Sequence, residues 1–232
     1  MKNYTDLNII LDRSGSMMSI AKDMVGGINT FIEKERETGD ETKISLFQFD
    51  DKYDTVFVDK DINDDFDITL TPRGMTALYD AIGKTVVSVG EKLDSMKEDD
   101  KPNRVLFVIV TDGFENCSQE YYATAVKDKI KHQRDVYAWD FIFLGAGEND
   151  VLNQHKGVGI ERTSSLGFAA DSASVQNAWL NVSEGYQFYK SLDRENVNTR
   201  SATFTFNNLV DAVQKEEDAK FLDAVDKVVT KS

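Results

Sequence analysis

The sequence predicts an α/β fold: an open, mostly parallel sheet with helices on both faces. Three observations predict it. Strand-like and helix-like segments alternate along most of the chain, which implies βαβ units with right-handed crossovers. Residues 105–110 are an unbroken apolar run, as in a strand buried on both faces at the centre of a parallel sheet. Residues 43–49 and 53–58 are joined by the short turn Asp50-Asp51-Lys52, so one pair of strands is expected to be an antiparallel hairpin.

The elements follow in order. Residues 5–11 read as a strand with the apolar run Leu7, Ile9, Ile10 and Leu11, stopped by the polar loop Asp12-Arg13-Ser14-Gly15-Ser16. Met17, Ile20, Ala21, Met24, Ile28, Phe31 and Ile32 then repeat at three and four residues, the single apolar stripe of a helix. Gly26-Gly27 inside it is read as close packing against the sheet. After the hairpin, the acidic residues 59–67 read as a solvated loop leading to Thr71-Pro72-Arg73-Gly74. Leu78, Ala81, Ile82, Thr85, Val86, Val89 and Leu93 mark the next helix. The strand at 104–110 ends at Thr111-Asp112-Gly113, and Ser118 can cap a helix running to about residue 132. A strand is expected at 136–144, stopped by Gly145-Ala146-Gly147, then a short helix at 150–155 and a short strand at 157–162. Val175, Ala178, Trp179, Val182, Tyr186 and Tyr189 mark a long helix after an Asp171-Ser172 cap. Beyond Thr199, residues 203–206 look extended, and Leu209, Val213, Phe221, Val225 and Val228 suggest one or two terminal helices.

Composition narrows the function classes. Among 232 residues, 41 acidic against 27 basic side chains give a net charge of −14, a surface that repels nucleic acid and anionic lipid. The single cysteine, Cys117, permits no intramolecular disulfide and no cysteine zinc cluster, which suits a reducing cytoplasm. Two histidines, His132 and His155, leave little for histidine metal sites or a histidine-centred triad. No run approaches the ~18 apolar residues of a membrane helix, and the short apolar run between Lys2 and Asp12 does not read as a signal peptide.

The polar loops carry the chemistry. Asp12-Arg13-Ser14-Gly15-Ser16 and Thr111-Asp112-Gly113 each follow the carboxyl end of a strand, where open α/β sheets bind ligands if the strand order reverses there. The loop Arg73-Gly74-Met75-Thr76 can cover the same crevice. Together they offer two carboxylates (Asp12, Asp112) and three hydroxyls (Ser14, Ser16, Thr76), with no thiolate or imidazole. Such an all-oxygen set suits a hard cation, Mg²⁺ first and Mn²⁺ as a substitute, with a position left open for an outside oxygen. A helix N-terminus after Ser16 would add a positive dipole beside it.

The pattern Asp12-x-Ser14-x-Ser16, then Thr76, then Asp112-Gly113 resembles the metal-ion-dependent adhesion site (MIDAS) of von Willebrand factor A (vWA) domains. The order of elements from Thr5 to about Leu192 is similar as well. The segments around Leu11-Asp12-Arg13-Ser14-Gly15-Ser16-Met17, Pro72-Arg73-Gly74-Met75-Thr76-Ala77-Leu78-Tyr79-Asp80 and Val110-Thr111-Asp112-Gly113-Phe114-Glu115-Asn116 look most like a stand-alone cytosolic branch found in bacteria and their phages. The resemblance implies a Rossmann-like sheet of order 3-2-1-4-5-6 with the third strand antiparallel. It implies a cation held by Ser14, Ser16 and Thr76, with Asp12 and Asp112 direct or through water. It implies a non-enzymatic role, in which an Asp or Glu of a protein partner completes the metal shell. The domain is expected to span residues 1–195, and residues 196–232 to form a C-terminal extension, a docking arm or a partly disordered segment.

The remaining polar residues have two readings each. Arg13, Arg73 and Glu115 can lie close to the ligand, the arginines attracting a partner's second carboxylate oxygen, or they can be solvated and loop-capping groups. Asp80 is either an acceptor behind a metal ligand or a stabiliser of its helix's first turn. Asp50 and Asp51 read as hairpin-turn residues, and Cys117 as structural. Gly145-Ala146-Gly147 is a poor dinucleotide loop, because aspartate stands at position 150 where the third glycine would fall. The alternative function is a Mg-dependent phosphoryl-transfer hydrolase with Asp12 as nucleophile. That chemistry wants an acid two residues later, where Ser14 stands. A third reading is a structural subunit in which the metal serves stability.

Overall fold

The computed structural model describes residues 4–146 and 154–191. Six strands lie among the described residues: β1 Tyr4–Asp12, β2 Glu41–Phe49, β3 Tyr53–Asp61, β4 Arg104–Thr111, β5 Asp140–Ala146 and β6 Ser165–Phe168. They form one sheet in the order β3-β2-β1-β4-β5-β6. Only the β2–β3 pair is antiparallel. The helices are α1 Ala21–Glu37, α2 Leu78–Ser95, α3 Ala123–Tyr137, α4 Gln154–Gly157 and α5 Ser172–Ser191. The predicted fold class, strand order and single antiparallel strand are all present.

Period-two alternation splits the sheet into two apolar faces. Leu7, Ile9 and Leu11 of β1 and Leu106, Val108 and Val110 of β4 pack with Met24, Ile28 and Phe31 of α1 and with Trp179, Val182 and Tyr186 of α5. Ile10 of β1 and Val105, Phe107 and Ile109 of β4 face Ile82, Val86 and Val89 of α2 and Val126 and Ile130 of α3. Every residue of β4 is buried, which is why its sequence is apolar without alternation. β1 is central, with Leu11 opposite Val110 on one side and Asp12 opposite Phe49 on the other. The chain order reverses between β1 and β4, so the loops after these two strands meet at one sheet end.

Several local expectations are corrected. The helix does not begin after Ser16: a 3-10 turn, Gly15–Ser19, comes first and α1 starts at Ala21. The amide of Met17 donates to the Ser14 carbonyl and that of Ile20 to the Met17 carbonyl, so the loop tightens before the helix proper, and no helix N-terminus abuts Ser16. Gly27 packs against α5 rather than the sheet; a Cβ there would overlap the Trp179 indole, with Cγ at 3.0 Å. The acidic stretch is not simply solvated. β3 runs through Asp61, Asp59 and Asp61 pair with Lys92 and Lys43, and Ile62 and Ile68 are buried.

Ser118 does not cap α3. The Asp80 carboxylate accepts the amides of Gln119, Glu120 and Tyr121, which holds that segment out of helix, while Ser118 Oγ accepts the Asp80 amide and so caps α2. The strand expected from 136 begins only at Asp140. Val136 and Tyr137 complete α3, and Ala138 ends it in the left-handed region at φ 54°. No strand occupies 157–162 either. Val158 and Ile160 are buried as core-packing loop residues, Gly159 at φ 79° breaks the extended path, and the last strand among the described residues is β6. The readings at Gly147, at 150–153 and beyond residue 191 lie outside the described residues.

Candidate metal centre

The five predicted site residues converge. Asp12 ends β1, Ser14 precedes the 3-10 turn that contains Ser16, Thr76 lies two residues before α2, and Asp112 follows β4. Ser14 Oγ and Ser16 Oγ are 3.0 Å apart, and Ser16 Oγ donates to Asp112 Oδ1 at 2.6 Å. A Cβ built on Gly113 would lie 2.9 Å from Thr76 Oγ1, 3.3 Å from Ser16 Oγ and 3.5 Å from Ser14 Oγ. One point therefore lies within 3.5 Å of three hydroxyls drawn from two loops, and the residue beneath it is a glycine in the third.

Asp12 sits behind this cluster. Its side chain is fully buried; Oδ1 accepts the Ser14 amide and Oδ2 the Thr111 hydroxyl, each at 2.6 Å. A carboxylate so enclosed is a poor nucleophile, since both oxygens are held and none faces solvent. Burial pushes Asp12 up to about 6, against its hydrogen bonds from Thr111 and Ser14, and the neighbouring Asp112 adds to the rise. Burial also raises Asp112, opposed by the Ser16 hydrogen bond. Among the described residues neither carboxylate has an ion-pair partner, so two acidic groups share a partly buried cleft with no side-chain cation to offset them. A cation there would relieve both. The donor set fits a hard divalent ion, because all five groups are oxygens. Among the described residues no group of three His, Cys, Asp or Glu could hold a metal, so any site here depends on hydroxyls.

Backbone hydrogen bonds lock the loops together. Gly15 donates to the Gly74 carbonyl at 3.2 Å, Arg73 to Arg13 at 2.8 Å, and Arg13 to Phe49 at 2.8 Å. Gly74 adopts φ 68°, a conformation that favours glycine, and a Cβ there would also crowd Asp50 and Asp51. Thr76 is gripped by Asn116, whose Oδ1 accepts the Thr76 amide at 2.9 Å and whose own amide donates to the Thr76 carbonyl at 3.0 Å.

The arginines are directed at Asp50. Arg13 Nε donates to Asp50 Oδ2 at 2.9 Å and Arg73 Nε to the same oxygen at 2.8 Å, while Arg13 Nη2 lies 2.6 Å from Asp54. Asp50 Oδ1 accepts the Lys52 amide, and the Asp50 carbonyl accepts the Ala77 amide, just after Thr76. Asp50 is thus a buried anchor for two of the three loops, not only a turn residue. Glu115 is committed to its own surroundings: it accepts the amides of Tyr79, Cys117 and Ser118 at 2.8–2.9 Å and the Ser118 hydroxyl at 2.7 Å. Thr111, Asp50 and Asn116 are the supporting residues that sequence reasoning missed or left undecided. Only Thr111, next to Asp112, and Asn116, in the same loop, stood near the motif.

No model of a protein family matches the sequence, and no curated protein matches it. Solved structures do. The vWF domain of the type V pili tip protein Mfa5 from Porphyromonas gingivalis aligns with a TM-score of 0.61 at 10% identity, covering 83% of this chain and 98% of that one. Proximal thread matrix protein 1 from the mussel byssus, in a structure with a zinc-occupied MIDAS motif, aligns with a TM-score of 0.56 at 12% identity over 78% of this chain. A von Willebrand factor type A structure from Catenulispora acidiphila aligns with a TM-score of 0.51 at 14% identity over 79% of this chain. The chain spans 45% of the mussel protein and 42% of the Catenulispora one. The sheet order, the flanking helices and these alignments agree: the chain has the fold of a von Willebrand factor A domain.

Proposed function

We propose that this protein is a metal-dependent protein-binding module. Ser14, Ser16 and Thr76 would hold a divalent cation through their hydroxyls, with Asp112 beside them and Asp12 acting from behind through Ser14 and Thr111. The ion, Mg²⁺ with Mn²⁺ as a substitute, would supply a Lewis-acid position for an Asp or Glu carboxylate of the partner. One observation carries the reading: three hydroxyls from two loops lie within 3.5 Å of a single point, beside two carboxylates that, among the described residues, no side-chain cation pairs. The zinc in the mussel protein's MIDAS motif supports it by analogy. The enclosure of Asp12 speaks for binding over hydrolysis.

The net charge of −14 argues against nucleic acid and anionic lipid as partners, and no helix among the described residues is long and apolar enough to cross a membrane. The lone Cys117 suits a cytoplasmic setting, as in the bacterial and phage branch the motifs resemble. Residues 1–195 would be the module and 196–232 an appended segment. The test is affinity capture from the native cell with the intact chain and with Asp12→Ala, in magnesium and in chelator. A partner held by the intact chain only in magnesium is expected; undiminished capture in excess chelator would refute the reading.

A further inference from the structure

The rim of the site differs from its floor. The floor is polar: Ser14 is 2% exposed and Thr76 3%, while Ser16 is open to solvent and Asp112 half-buried. Each loop then raises one large apolar side chain into solvent within two residues of a proposed ligand. Met18 follows Ser16 and is 68% exposed; Met75 precedes Thr76 and Phe114 follows Asp112, each 54% exposed. Few large apolar residues are so exposed among the described residues, and three of them lie within two positions of a proposed ligand, one per loop. Exposed apolar groups gathered around a polar centre mark a contact surface rather than chance exposure. Two are methionines, whose unbranched side chains adapt to varied partners.

Charge decides what this rim favours. Arg13 and Arg73, the arginines of the site loops, are already paired with Asp50 and Asp54. Asp51 leans over Gly74, and the chain as a whole is strongly acidic. A partner rich in carboxylates would gain one metal contact and meet repulsion everywhere else. A partner with one carboxylate between apolar side chains would gain the metal contact and cover the rim. We infer that the site takes a protein segment in which a single Asp or Glu is flanked by apolar residues, and discriminates against polyacidic segments. This inference rests on the proposed metal reading.

The test uses three fluorescently labelled, end-capped peptides: Ala-Leu-Glu-Phe-Ala, Ala-Ser-Glu-Ser-Ala and Ala-Glu-Glu-Glu-Ala. Binding to the full chain is followed by anisotropy in magnesium and in EDTA, and magnesium uptake is titrated separately by calorimetry. The Leu/Phe peptide should bind the magnesium-loaded protein at least about tenfold more tightly than the other two, because it alone covers the rim. Met18→Ser, Met75→Ser and Phe114→Ser, singly and together, replace exposed side chains, so the fold should survive. They should erase the preference while magnesium uptake stays within about twofold of wild type. Equal binding of the three peptides, a preference that survives the triple variant, or no peptide binding by magnesium-loaded wild type would each overturn the inference. A wild type that takes up no magnesium overturns the metal reading itself, a separate failure visible in the calorimetry alone.

Discussion

The carboxylate of Asp50 holds two site loops at once, and Asp50→Asn isolates that role. The substitution keeps the shape and removes the charge. Arg13, 7% exposed, would lose a buried ionic partner at 2.9 Å. Breaking a buried pair from one side costs about 3–5 kcal/mol. Arg13 keeps Asp54 at 2.6 Å, so the lower end, about 3 kcal/mol, is the expectation. The Arg73 pair adds little, because Arg73 is more than half exposed and solvent screens it. At about 2–4 °C per kcal/mol for a chain of this size, the midpoint of thermal unfolding should fall by roughly 6–12 °C. Because Arg13 sits between Asp12 and Ser14 and Arg73 lies three residues before Thr76, magnesium affinity should fall as well, by roughly 10–100-fold. Urea unfolding and magnesium calorimetry read the two effects, with Arg73→Ala as the mild control. A loss below about 1 kcal/mol with unchanged magnesium affinity would refute the anchoring argument.

Three further outcomes follow from the same geometry. Gly113→Ala should weaken magnesium binding at least about tenfold in calorimetry, because its methyl would sit 2.9 Å from Thr76 Oγ1; stability should change little, and unchanged affinity would contradict the convergence of the hydroxyls. Gly27→Ala should cost about 1–2 kcal/mol in urea unfolding, since the overlap with Trp179 outweighs the gain in helix propensity; a stabilised variant would show that the α1–α5 contact yields freely. The last concerns pH. Burial alone would raise Asp50, but hydrogen bonds from Arg73 and Arg13 outweigh it and hold the group below the ordinary aspartate value. A lowered carboxyl contributes stability above its unfolded value, near ~3.9, and loses it as pH falls through the folded one. The stability gap between wild type and Asp50→Asn should therefore be constant from neutral pH to about 5 and shrink below about 4; a gap that widens in acid would contradict the pairing.

What was legible in the sequence was whatever periodicity and motif spacing encode. β4 announced itself because a strand buried on both faces must be apolar throughout. The five oxygens were legible because each belongs to a short motif at a strand end or just before a helix. The errors fall where tertiary contacts override local pattern. Val136 and Tyr137 carry strand-like side chains yet finish α3, because Ala138 supplies the left-handed turn that β5 needs to start at Asp140. Val158 and Ile160 alternate like a strand, but the alternation comes from loop residues filling the core under α3. Ser118 is a good cap by type, and it caps α2 from across the fold because Asp80 has already captured the amides that follow it. Asp50 reads locally as a turn residue because its partners lie 37 and 23 positions away. No local pattern encodes such distances.

The oxygens of Ser14, Ser16, Thr76, Asp12 and Asp112 are proposed to serve one divalent ion. Calorimetric titration of the full chain with MgCl₂, beside Asp112→Ala shown to be folded by circular dichroism, tests it most directly. One magnesium bound per wild-type chain and none by the variant is expected. A wild type that binds no divalent ion, or a variant that binds it as well as wild type does, would contradict it.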